Sequence, residues 1–93
     1  MVIGVLRAEL HFPAAESLKD RRSVLKSVKD QLRGRFNIAV AEVEANDTWQ
    51  RATVGVSTIG DTRTYVDRIL TEVTEWIRAT RLVELIRVER DYV

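Results

Sequence analysis

Lys19, Arg22, Lys26, Lys29 and Arg33 recur at steps of three and four, so a helix through residues 17–34 would gather them on one stripe. Five cations on one helix face can meet several phosphates, and phosphate contacts supply affinity for RNA without reading bases. Arg35 stands beside them as a neighbour. An ordinary solvated helix face, its lysine and arginine stems lying over apolar neighbours, gives the same pattern, so both readings stand at this level. A second group, Trp49, Gln50 and Arg51, follows an acidic stretch with Glu42, Glu44 and Asp47. Trp and Arg are typical anchors of protein interfaces, although hairpin packing with cross-strand ion pairs also uses them.

Other chemistry has little to stand on. His11 is the sole histidine, and no motif brings a Ser or Asp to it, so no catalytic residue is assigned and no enzyme is expected. The connection after it, residues 11–16, has neither the glycine nor the arginine that would cradle a phosphate. With no cysteine, thiolate metal sites, disulfides and cysteine nucleophiles are excluded. No carboxylate cluster stands out as a metal site, and no cofactor motif is present.

Several elements must position these groups. Net charge is +1, yet residues 17–35 carry seven cations and two anions, a local +5 that leaves −4 for the rest. Any electrostatic function therefore rests on distribution. In the same helix Leu18, Arg21, Leu25, Val28 and Leu32 form a stripe one position away from the cations, with Val24 beside it. Ser17 suits the N-cap, Asp20 gives a weak capping box, and Gly34 fits a left-handed helix end. Residues 2–12 alternate as a strand with Val2, Gly4, Leu6, Ala8, Leu10 and Phe12 on one face. Residues 36–43 and 49–59 read as two strands of a hairpin around a loop at 44–48. Gly60 and Asp61 would open a second helix whose apolar face holds Tyr65, Val66, Ile69, Leu70, Val73, Trp76 and Ile77. In residues 82–92 the apolar alternation changes phase between Leu85 and Ile86, which predicts a bulged last strand.

The order strand, helix, strand, strand, helix, strand is the βαββαβ pattern of the ferredoxin-like α+β fold: a four-stranded antiparallel sheet with two helices on one face. The 93 residues make one such domain, 1–93. Its uncovered face is expected to show Ile3, Val5, Arg7, Glu9, His11, Trp49, Arg51 and Thr53. One tryptophan on a half-apolar, half-charged face suits self-association better than base stacking. Apolar and charged fractions of 45% and 31% fit a soluble globular chain, and no run reaches a membrane span. Without a basic start and apolar core at the amino terminus, the expected compartment is the cytoplasm.

At the run 17–56 the chain resembles the YlxP-like family of small bacterial proteins, a domain of unknown function, and the likeness covers essentially the whole chain. The matching pieces are Ser17, Leu18, Lys19, Arg22, Val24, Leu25, Lys26 and Lys29, then residues 35–43, then Asp47, Trp49, Gln50, Arg51 and Ala52. The resemblance implies the ferredoxin-like fold and a tie to translation, because such proteins are typically encoded near factors of ribosome maturation and translation initiation. It carries over no catalytic residue. The combined expectation is a non-enzymatic homodimer that docks RNA or a ribosomal particle on the basic helix face. The alternative is a protein-interaction or homo-oligomerisation module using Trp49, Arg51 and the open sheet face.

Overall fold

The computed structural model describes residues 1–44 and 48–93. Its elements are β1 (Val2–His11), α1 (Leu18–Arg35), β2 (Ala39–Glu44), β3 (Arg51–Gly60), α2 (Arg63–Ala79) and β4 (Glu84–Tyr92). The strands form one antiparallel sheet in the order β2-β3-β1-β4, so β1 and β3 are central and β2 and β4 are edges. This is the ferredoxin-like arrangement that the sequence pattern predicts.

The strand alternation sets which face is core. Leu6, Ala8 and Leu10 of β1 and Ala52, Val54 and Val56 of β3 are buried under the helices, which contribute Leu25, Val28 and Leu32 from α1 and Val66, Leu70, Val73 and Ile77 from α2. Full burial of each large aliphatic side chain stabilises the fold by about 1.5–3 kcal/mol. The approach of α2 to β1 is close enough to require glycine. A Cβ on Gly4 would overlap Val66 and stand 2.9 Å from Leu70 Cδ1.

Helix ends differ from the sequence reading in instructive ways. Ser17 is the N-cap of α1, its Oγ accepting the Asp20 N–H at 3.1 Å. The Asp20 carboxylate reaches one residue further back, to the Glu16 N–H at 3.0 Å. Gly34 does not end the helix. α1 continues to Arg35, Phe36 is the extended C-cap, and no glycine adopts positive φ. The Phe36 N–H closes the last turn on the Leu32 carbonyl, and the chain leaves directly in extended form, so no left-handed residue is needed. Nor do Gly60 and Asp61 open α2. Gly60 is still paired with Val2 in the sheet, and Thr62 caps the helix by accepting the Tyr65 N–H.

The predicted bulge in β4 is present. Glu9 pairs with Arg87 and Leu10 with Leu85, leaving Ile86 as the extra residue. A second bulge, which the sequence did not suggest, lies in β2, where Glu42 pairs with Val54 and Glu44 with Thr53 around an unpaired Val43. Both hairpin strands are shifted relative to expectation. β2 starts at Ala39 rather than residue 36, because Phe36 and Ile38 are spent in the connection, packed against the core. β3 starts at Arg51, and Trp49 and Gln50 form the turn before it. β4 likewise begins two residues late, at Glu84. Glu44, expected in the loop, completes β2, while Asn46 and Asp47 lie outside the described residues.

Candidate nucleic-acid interface

The cationic stripe is on the solvent side of α1, and its members do not all behave alike. Lys19 and Arg22 are exposed, and like the half-buried Lys29 they make no hydrogen bond or salt bridge with the described residues. Lys26 is exposed and bonds Asp30 one turn on, Nζ to Oδ2 at 2.7 Å. Arg33 and Arg35 are partly committed to the fold. Arg33 donates to the Val40 carbonyl at 2.8 Å, tying the end of α1 to β2, and Arg35 lies 5.9 Å from the centre of the Trp76 ring on α2. The six predicted cations thus divide into four with no tertiary partner among the described residues and two, also exposed, that fasten the helix end.

Asp30 is the anion within this stripe. Its carboxyl is held below the usual carboxylate range, first by the Lys26 hydrogen bond, with desolvation opposing and the charges of Lys26, Arg33 and Lys29 assisting. A depressed folded value means that the Asp30 contribution to stability is complete above the unfolded-state value and disappears as pH falls through the folded one. In a carboxyl-carbon NMR titration, Lys26→Gln should therefore move the Asp30 midpoint up. An unchanged midpoint would remove Lys26 as the cause.

Arg21 belongs to the stripe next door and points inward. Its residue exposure is 4%, and its guanidinium donates to Glu42 Oε2 at 2.6 Å and to the Arg51 carbonyl at 3.1 Å. Its Nε is buried with no hydrogen-bond partner among the described residues. Through it α1 is bolted to both strands of the hairpin. The sequence carried the signal, an arginine at a core-spaced position, but not the identity of the partner.

Trp49 and Arg51 are not brought together on the sheet. Trp49 is in the turn, 47% exposed, ahead of the strand expected to carry it on the open face. Because Gln50 accepts the Phe12 N–H at 2.9 Å, this turn is fastened to the end of β1, and regular pairing begins only at Arg51 opposite His11. His11 Nδ1 is 3.6 Å from Glu84 on the neighbouring β4. Among the described residues no group of three or more His, Asp or Glu could hold a metal ion.

The open face has a different centre from the one expected. Between its strands runs a groove of about 670 Å³, lined by Val5, Ala39, Ala41, Val43, Gly55 and Ser57 among others. The β2 bulge shapes it. Val43 leans across Gly55, where a Cβ would stand 2.7 Å from Val43 Cγ1, and Glu44 reaches Arg7 in an ion pair.

Fold and surface together define a ferredoxin-like protein with one cationic helix face and an uncovered, partly apolar sheet. The chain belongs to the family described as "Protein of unknown function (DUF503)", whose model matches residues 3–90. It is 32% identical over 76 residues to the uncharacterized protein YlxP of Bacillus subtilis (strain 168), covering 82% of this chain and 83% of that protein. Among solved structures it resembles protein YJCS, with a TM-score of 0.61, 11% identity and 98% of each chain covered. It also resembles the de novo designed protein Foldit4, with a TM-score of 0.52 and 11% identity over 100% of this chain and 97% of that one. These likenesses speak for the fold alone. Among the described residues no helix is long and apolar enough to cross a membrane.

Proposed function

We propose that this is a non-enzymatic binding protein that docks RNA, free or within a ribosomal particle, through phosphate contacts on α1. The observation that carries this reading is the solvent-side stripe of Lys19, Arg22, Lys26 and Lys29, three of which have no salt bridge among the described residues to break on binding. The stripe is backed by a rigid helix, capped at Ser17 and fastened by Arg21 and Arg33, so the cations are presented at fixed spacing. Base reading has no comparable support. Sheet readers stack bases on aromatic rings in the central strands, and those positions hold Val5, Arg7, Thr53 and Gly55. Sequence-independent electrostatic docking fits the residues present.

The test is co-sedimentation with ribosomal subunits and free ribosomal RNA across a salt series. Four phosphate contacts give a fall in log affinity of about 3 per unit of log salt. Absence of binding at low salt, or binding indifferent to salt, would overturn the reading.

A further inference from the structure

We propose that the open sheet face packs against a second copy of this chain, sheet to sheet, about a two-fold axis running along the strands. Three features of the face favour a copy of itself. The first is where its apolar surface lies. Val43 is 52% and Ile59 50% exposed, Ile3 pairs directly with Ile59 across β1 and β3, and the groove floor is built from alanine, glycine and valine. Such a continuous apolar surface, rimmed by polar groups, marks an interaction site.

The second feature is charge. Two ion pairs on this face are closed within the protomer: Arg7 with Glu44, and Glu89 with Arg87 at 2.5 Å. With these pairs closed internally, fewer ionic groups, chiefly Glu9, Arg51, Glu84 and Asp91, are left for a partner selected by charge. The third feature is shape. The small side chains Ala39, Ala41 and Ser57 are on the β2–β3 half, with Val43 lying over Gly55 beside them, and the bulky Val5, Arg7, Glu89 and Asp91 are on the β1–β4 half. Because β2 and β4 are opposite edges, a two-fold axis along the strands lays the β4 half of one copy over the β2 half of the other. Bulky residues then meet small ones twice, the self-complementarity a closed dimer requires.

The available area is sufficient. Strands spaced about 4.8 Å apart and rising about 3.3 Å per residue give this face roughly 550 Å² per copy, so the pair buries on the order of 1,100 Å². That clears the roughly 1,000 Å² expected of a specific interface and points to a dimer of moderate affinity. Both α1 helices would face outward on opposite sides, giving two cationic surfaces per dimer.

Sedimentation equilibrium of the full chain over a concentration range tests this. The expected result is a two-chain mass for the native protein and a one-chain mass for Ala41→Lys, whose dissociation constant should rise by about a hundredfold as a charge is forced into the apolar contact. Ala41 is exposed in the protomer, so the substitution leaves the fold and its circular dichroism intact. Val5→Lys serves as a second probe from the opposite half. A one-chain mass for the native protein at all concentrations overturns the proposal, and so does a two-chain mass indifferent to both substitutions. RNA binding by the Ala41→Lys chain, measured in parallel, separates failure of the dimer from failure of phosphate docking.

Discussion

Glu42→Ala should lower stability by about 2–3 kcal/mol, seen as a drop in Tm of about 10–20 °C for a domain of this size. The loss is large because of what stays behind. Arg21 is buried under the hairpin with one bond to the Arg51 carbonyl and an Nε unpartnered among the described residues, so without Glu42 its charge loses its one ion pair among them. Glu42 itself is 29% exposed at the side chain, which allows some water in and keeps the figure at the low end for a buried pair. Removing the other partner should behave differently. Arg21→Met replaces a charge in the apolar stripe with a flexible side chain of suitable length, and the stranded Glu42 can turn to solvent. We expect it to cost about 1 kcal/mol, and the double variant Arg21→Met, Glu42→Ala to be more stable than Glu42→Ala alone. Chemical denaturation of the four proteins decides this. Equal losses for the two single variants would show that the pair, rather than the buried guanidinium, governs the cost.

That ion pair also shows what could be read in advance. The strand and helix alternations fix the two faces of β1 and β3 and the apolar stripes of both helices, because burial repeats with the period of the backbone. The β4 bulge was visible as a change of phase between Leu85 and Ile86. By contrast, the β2 bulge at Val43 leaves no such trace. Val40 is the one buried residue of that short edge strand, so a slip of one residue alters exposure too little to mark the sequence. The consequence is functional: the slip sends Glu44 to Arg7 and Val43 over Gly55, and so moves the apolar centre of the open face away from Trp49. Gly34 misled for a related reason. A glycine near a helix end suggests a left-handed cap, but whether the chain turns there depends on where β2 has to begin. Cation spacing located the exposed stripe on α1 correctly, yet Arg33 and Arg35 share its rhythm and are drawn to Val40 and Trp76 by tertiary contacts that no local pattern reports.

Reversing Arg22, Lys26 and Lys29 together to glutamate should weaken RNA binding by about a hundredfold or more at 0.1 M salt and flatten the salt dependence. Each lost phosphate contact accounts for about a fivefold to eightfold loss at that ionic strength, and each new carboxylate adds repulsion at the same place. The fold should tolerate the change. None of the three is a core residue, and the added like-charge neighbours along α1, including a carboxylate at position 26 four residues from Asp30, cost only a few tenths of a kcal/mol each. Filter binding with a structureless polyribonucleotide, alongside thermal unfolding, measures both quantities. Arg33→Gln provides the contrast. Its guanidinium holds the Val40 carbonyl, so its loss should cost stability while leaving most of the salt slope in place. If the triple reversal leaves RNA affinity unchanged while Tm stays within a few degrees of the native protein, the cations of α1 are solvated surface and nothing more. If affinity falls with Tm unchanged, Arg22, Lys26 and Lys29, spaced along one helix face, are side chains that hold the phosphates.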